Sequence, residues 1–261
     1  MNPDVVSLLC DPISHENIQL VCESLNKEVL ANISSGKRFP IKDGIPNFLA
    51  TQEISGQNGK YQKLYDHVSP FYNSSTSVFA LFKSGGDAER RLEYLQELEV
   101  RPGVKVLEVS VGTGANWRGL PRTASYFGLD ISRGMLNECR KHIKKWKLEA
   151  DLFQGEAEHL PFKDAVFDVV YHVGGINFFN DKSGAIQEMV RVSKSGTKLL
   201  IVDETEKIAQ KFKKVPFSSV FYSKRTEAIT TPVDLVPKNM LEINFREVAK
   251  GDLYCLTFRK P

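Results

Sequence analysis

The sequence predicts an α/β protein: a parallel sheet flanked by helices and closed by an antiparallel hairpin, preceded by a small β-rich unit. Three observations carry this. Two apolar runs, Val104–Leu107 and Tyr126–Leu129, each end in a carboxylate, Glu108 and Asp130, with Ser110-Val111-Gly112-Thr113-Gly114 between them. From Tyr61 onward, helical spacing alternates with short apolar runs, the pattern of strands covered on both faces by helices. At the carboxyl end, Leu241–Val248 and Leu253–Arg259 are joined only by Ala249-Lys250-Gly251-Asp252. So short a connection permits only an antiparallel pair.

Taken in order, residues 1–50 are short apolar pieces broken by Asp11-Pro12, Ser34-Ser35-Gly36, Asp43-Gly44 and Pro46, turn signals at the close spacing of a small β unit. Thr51 to Lys60, with Ser55-Gly56-Gln57-Asn58-Gly59, reads as a polar linker. Tyr61–Lys83 is rich in aromatics, and residues 51–100 together read as linker and helical lid. Ala88–Leu98 has helical spacing with Leu92, Leu95 and Leu98 on one face, ended by Arg101-Pro102-Gly103. A first strand is expected near Lys105–Val109, with a helix after Gly114, and a second near Ser125–Asp130. Ser132 then caps a helix to about Trp146 that places Met135, Leu136, Cys139 and Ile143 inward. A third strand is expected near Ala150–Gln154 and a fourth at Val166–His172. A helix over Lys182–Ser193 turns Ile186, Met189 and Val190 inward, and Thr197–Val202 is a fifth strand.

The 261 residues suffice for one α/β domain of roughly 200 residues and a small appendage. A net charge of +3 is near balance, and the basic runs Lys141–Lys147 and Lys211–Lys214 read as solvated helix faces, so a nucleic-acid partner is not favoured. No apolar stretch approaches the ~20 residues that span a bilayer, and the amino terminus has no basic region followed by an apolar one. Cys10, Cys22, Cys139 and Cys255 follow no spacing pattern and read as reduced thiols of a cytoplasmic protein.

A glycine turn between a strand and the next element lets a ligand approach the backbone, and an acid ending the second strand can chelate a ribose diol. The order and spacing over residues 61–261 resemble the class I S-adenosylmethionine-dependent methyltransferases. That resemblance implies a Rossmann-like seven-stranded sheet, with the cofactor-binding domain proper over 101–261. It places Glu108, Ser110, Gly112 and Gly114 under the methionine part of S-adenosylmethionine and Asp130 on the ribose. It sets Ile131 and Met135 against the adenine, Glu156 and Ala157 at its edge, and His172 beside the methyl group. Ser110 stands where the family most often has glycine. A nicotinamide-dependent fold would need a third glycine where this chain has Trp117. Tyr65-Asp66-x-x-Ser69-x-x-Tyr72 resembles the lid helix of ubiquinone- and menaquinone-type methyltransferases, which makes Tyr65 and Tyr72 candidate cofactor contacts.

Asp11-x-x-Ser14 and Asn32-x-x-Ser35 have the spacing of a four-cysteine zinc ribbon without its cysteines. With Arg38–Pro46 they resemble the zinc-ribbon-like domain of methyltransferase activator subunits. Residues 1–50 are therefore expected to be a degenerate ribbon without a metal site. Methyl transfer mainly requires alignment and exclusion of water, so its catalytic residues are weakly encoded. The run His172-Val173-Gly174-Gly175-Ile176-Asn177 lacks the motif of base amino-group methylation, and no paired glutamates, magnesium site or cysteine set appears. A small organic acceptor, methylated at oxygen, carbon or nitrogen, is expected. The alternatives are a non-catalytic cofactor-binding or regulatory partner and a tRNA or protein methyltransferase. His172 is the candidate base, or else closes the pocket without taking a proton; His67 is second, and Asn177, Phe178 and Phe179 could line the acceptor site.

Overall fold

The computed structural model describes residues 1–24, 27–49, 54–81, 87–213 and 228–261, with the side chains of 70–88 among those outside the description. A one-turn helix, α1 (Pro3–Val6), leads into four antiparallel strands, β1 (Ile18–Ser24), β2 (Lys27–Asn32), β3 (Arg38–Lys42) and β4 (Ile45–Pro46). Helices α2 (Gly56–Leu81) and α3 (Asp87–Leu95) follow, then β5 (Lys105–Val109), β6 (Ser125–Asp130), α4 (Arg133–Trp146) and β7 (Ala150–Gln154). The rest is β8 (Val169–Val173), α5 (Lys182–Val192), β9 (Lys198–Glu204), α6 (Glu206–Lys213), β10 (Leu241–Val248) and β11 (Leu253–Arg259).

The large sheet has seven strands in the order β10-β11-β9-β8-β5-β6-β7. Strands β7, β6, β5, β8 and β9 are parallel, while β11 runs antiparallel to β9 and β10 antiparallel to β11, as the short terminal connection requires. The chain starts at the centre with β5, fills one side, and reverses to fill the other. The reversal leaves a crevice at the carboxyl ends of β5 and β8, where open α/β sheets bind ligands. Val106, Leu107, Val109, Val170, Ile201 and Val202 are fully buried, so both faces of the central strands are covered.

The amino-terminal sheet is packed into this body. Leu9, Leu30, Phe39 and Phe48 share one apolar core with Phe127, Phe153 and Phe162. Backbone bonds sew the two together: Phe48 N donates to Gln154 O (2.8 Å), Cys10 N to Pro161 O (3.1 Å) and Lys163 N to Leu8 O (2.9 Å). Asn32, itself buried, donates through Nδ2 to Asp11 Oδ2 (3.0 Å), Ser14 Oγ (3.3 Å) and Glu16 Oε2 (2.8 Å). Asp11 Oδ1 accepts from Ile13 and Ser14 N–H, and Asn32 Oδ1 from Ser34 and Ser35 N–H. Two side-chain-closed turns thus face each other across one hydrogen-bonded knot.

Four expectations need correction. Ser55–Gly59 is not wholly linker: α2 begins at Gly56, because Asn180 Oδ1 accepts from Gln57 N (2.8 Å) and supplies the cap from a distant loop. The element after Gly114 is only a 3₁₀ turn, Ala115–Gly119, stopped ahead of Pro121. Leu92 is exposed, α3 ending at Leu95 with Leu95 and Leu98 buried. The fourth strand starts at Val169, because Val166 and Phe167 spend their N–H groups on Val192 O.

Candidate functional site

The turn after β5 is built from left-handed residues. Ser110 (φ 60°), Gly112 (φ 54°) and Gly114 (φ 74°) all adopt the region that costs L-residues with a Cβ. This explains why glycine suits position 110. The two glycines serve different ends. A Cβ on Gly114 would lie 2.7 Å from Cys139 Sγ, so Gly114 permits packing of the turn on α4. A Cβ on Gly112 would meet nothing within 4 Å, so this glycine faces open space at the sheet edge.

Glu108 lies beneath this turn. It is fully buried, with Oε1 accepting from Asn116 Nδ2 (2.6 Å) and Oε2 from the Tyr171 hydroxyl (2.8 Å). Both oxygens thus hold the turn from beneath. Burial raises its pKa to about 7, against those two hydrogen bonds.

Asp130 ends β6 beside the cradle. Its Oδ2 accepts from Gly112 N (2.8 Å) and its Oδ1 from Ser132 N (2.9 Å), which joins the glycine turn to the start of α4. Burial raises its pKa to about 6, partly offset by these backbone donors and reinforced by the charge of Asp66. Ile131 is half-buried, and Met135, in the first turn of α4, is buried.

The next wall is the turn carrying half-buried Glu156 and buried Ala157. It is clamped from below: Arg191 donates to the carbonyls of Leu160 (3.0 Å) and Phe162 (2.7 Å), and Glu188 accepts from Leu160 N (2.9 Å). The amino-terminal unit holds the same turn through Cys10 and Pro161.

Helix α2 lies across this edge. Asn58 donates to Glu156 Oε1 (2.8 Å) and Glu158 Oε1 (3.0 Å), and Gln62 to Ile131 O (3.3 Å). Asp66 accepts from Ser132 Oγ (2.6 Å) and Gly134 N (2.8 Å), capping α4 from outside its own segment. These three residues recur at four-residue spacing, so one face of α2 meets the site. Gly134 makes the approach possible, since a Cβ there would fall on Ser69 Oγ and within 3.0 Å of Asp66 Cα. Tyr65 is half-buried and inclined to Tyr61 (6.4 Å between rings), which stacks on Phe178 at 4.2 Å. The Tyr72 side chain lies outside the described residues, as do those of Phe71 and Phe79. His67 is exposed and bonded to Lys63 O, away from the site.

His172, at the end of β8, is fully buried. Its Nδ1 lies 3.0 Å from Val109 O, so Nδ1 carries the proton and Nε2 holds a lone pair, which has no partner among the described residues. Burial lowers its pKa, while the Asp203 carboxylate acts in the opposite sense. Sequence reasoning missed Asn58, Gln62, Gly134 and Asp203. The helical spacing of the first two was a usable signal; Gly134 and Asp203 matter only through packing.

Residues 107–201 match the model of a methyltransferase domain. The demethylmenaquinone methyltransferase of Lactiplantibacillus plantarum is 29% identical over 153 residues, 56% of this chain and 62% of that protein. The one from Listeria welshimeri is 32% identical over 153 residues, 56% of this chain and 63% of that protein. The chain thus spans less than two thirds of the length of these relatives. Among solved structures, a methyltransferase from Thermotoga maritima described as a possible histamine N-methyltransferase superposes with a TM-score of 0.57 at 21% identity, over 76% of this chain and all of that one. At such identity the likeness concerns the fold. No helix among the described residues is long and apolar enough to cross a membrane. Residues 107–201 thus match a methyltransferase domain, and the seven-stranded body has the Rossmann-like fold of solved methyltransferases.

Proposed function

We propose that the chain transfers a methyl group from S-adenosylmethionine to a small organic acceptor. The observation that carries this reading is the cradle itself: Gly112 leaves open space, and its N–H is bonded to Asp130, the acid that ends the neighbouring strand. These residues fit the cofactor. The bound cofactor supplies an electrophilic methyl group on a sulfonium. Gly112 admits the methionine part against the backbone, Asp130 accepts from the ribose hydroxyls, and Ile131, Met135 and Ala157 flank the adenine. Glu156 accepts from the adenine amino group in place of, or beside, Asn58. Tyr65 on α2 closes the edge and excludes water. The relatives named for demethylmenaquinone support an organic acceptor of modest size.

In this reading residues 101–261 form the catalytic domain and 51–100 carry the connection and lid. Residues 1–50 are a degenerate ribbon in which the knot of Asp11, Ser14, Glu16 and Asn32 takes the place of a metal. Its task is to hold the Glu156–Phe162 turn from behind. The test is transfer of label from methyl-labelled S-adenosylmethionine into a metabolite extract. A labelled small product supports the reading. Cofactor binding without a labelled product, or label found only in RNA or protein, would overturn it.

A further inference from the structure

The strand register brings three polar side chains to one face of the sheet. His172 on β8 is opposite Ile201 on β9, and Tyr254 on β11 is opposite Asp203. Side chains directly opposite, or two apart on one strand, share a face. His172, Asp203 and Tyr254 therefore project together beside the cradle, and all three are buried. Asp203 Oδ2 accepts from Asn177 Nδ2 (3.0 Å) and more weakly from Asn177 N (3.3 Å), and its Oδ1 accepts from Glu204 N (2.8 Å). Lys182 Nζ donates to Asn177 Oδ1 (3.2 Å). Asp203 is thus held in place, and its charge acts on both His172 and Tyr254.

Among the described residues, His172 Nε2, an acceptor, has no hydrogen-bond partner, and the Tyr254 hydroxyl has none of good geometry, only the nearby Asn177 side chain. Leaving a buried polar group unsatisfied costs about 1–3 kcal/mol, and such vacancies concentrate where a ligand binds. Just after β8, Gly174 and Gly175 border open space, since an added Cβ at either would meet nothing within 4 Å. Phe179 packs edge-on against the His172 ring at 5.2 Å and shields it from solvent.

We propose that His172, Asp203 and Tyr254 form the acceptor subsite, and that it takes a compound presenting an ionisable hydroxyl. This rests on the methyltransferase reading above. The Tyr254 hydroxyl bonds the acceptor oxygen, and His172 Nε2 takes its proton. The acceptor oxygen, or the ring carbon conjugated to it, forms the new bond to the methyl carbon. The carbon–sulfur bond of the sulfonium breaks with its electron pair left on sulfur. When the new bond is to carbon, the imidazolium returns its proton to the acceptor oxygen and the neutral His172 then takes the ring proton, so that one proton remains on His172 in either case. Asp203 is a positioning residue: its carboxylate stabilises the imidazolium, and Lys182 reaches the cluster only through Asn177.

The test uses labelled S-adenosylmethionine with 2-naphthol, catechol and 1,4-naphthohydroquinone. Their methyl ethers, 2-naphthylamine and 2-naphthoic acid are the controls. Binding of S-adenosylhomocysteine is measured in parallel. We expect methylation only of the hydroxyl compounds. His172→Asn keeps a donor to Val109 O and removes the base; it should lower kcat by roughly 10²–10⁴ with unchanged S-adenosylhomocysteine affinity. Tyr254→Phe should raise KM about tenfold. In Asp203→Asn the rising limb of kcat/KM should move to lower pH, because the carboxylate favours protonated His172. A merely structural Asp203 would leave that limb in place. If the wild type does not bind S-adenosylhomocysteine, the functional reading itself fails. If it binds but methylates only the amine or the acid, or none of the panel, the subsite is wrong. Full activity in both His172→Asn and Tyr254→Phe would overturn it equally.

Discussion

Replacing Gly112 with alanine separates a glycine kept for a ligand from one kept for a turn. Its φ of 54° makes any Cβ costly, by about 1–2 kcal/mol, whatever surrounds it. At this chain length that lowers Tm by roughly 2–4 °C per kcal/mol. The new methyl meets no protein atom within 4 Å, so the structure adds no clash to that cost. If the open space is where the cofactor lies, the methyl excludes it, and affinity should fall at least tenfold, or about 1.4 kcal/mol. Gly103 is the matched control: its φ is 78°, a Cβ there also meets nothing within 4 Å, and it lies in the turn before β5. Thermal unfolding and calorimetry with S-adenosylhomocysteine would be run on both variants. Gly112→Ala and Gly103→Ala should lose similar stability, and only the first should lose affinity. Normal binding by a folded Gly112→Ala protein would refute the assignment of that space to the cofactor.

Ser110→Gly should raise stability by up to about 1 kcal/mol, read as a rise in Tm, because it relieves a left-handed serine; a fall in Tm would show that the Ser110 side chain stabilises the turn. Cofactor affinity should fall about tenfold between pH 7 and pH 5: the Asp130 pKa of about 6 means that most of it is protonated at pH 5, and the ribose needs the carboxylate. The same shift means that ionised Asp130 costs the free protein stability as pH rises through 6. Calorimetry across that range in wild type and Asp130→Asn checks it, and a parallel pH response in the two would remove Asp130 as the titrating group. Gly134→Ala places a methyl against Ser69 and the Asp66 backbone, so α2 should lift from α4 and its amides should exchange faster; unchanged exchange over Gln62–Ser69 would contradict the docked arrangement. Asn32→Ala removes the donor shared by Asp11, Ser14 and Glu16 and leaves buried Asp11 underbonded, so a loss of about 2–3 kcal/mol is expected in denaturant melts. A change within 0.5 kcal/mol would mean that apolar packing alone holds that unit.

Much of the fold was legible because it rests on local pattern. The apolar runs at Lys105–Val109 and Ser125–Asp130, the cap at Ser132 and the short connection before Leu253 each declare an element within a few residues. The glycine turn and Asp130 were legible for the same reason. What stayed hidden depends on residues distant in sequence. Helix α2 starts at Gly56 because Asn180 caps it across more than a hundred residues, so Ser55–Gly59 reads locally as linker. The bonds of Glu108 to Asn116 and Tyr171, which tie it beneath the turn, join residues up to sixty-three positions apart. Asp203 and Tyr254 acquire meaning only from the antiparallel register of β9 and β11. Asp66 and Gly134 matter only because two helices meet. Such features follow from packing, which no short window of sequence contains.

The central claim, that this cradle binds S-adenosylmethionine through Gly112 and Asp130, is tested most directly by calorimetric titration of the wild type and Asp130→Ala with S-adenosylhomocysteine. The account predicts one saturable site in the wild type. In the variant it predicts a dissociation constant raised by roughly ten- to a hundredfold, from the loss of charged hydrogen bonds worth about 1.5–3 kcal/mol. No saturable binding by the folded wild type, or equal affinity in the folded variant, would contradict it.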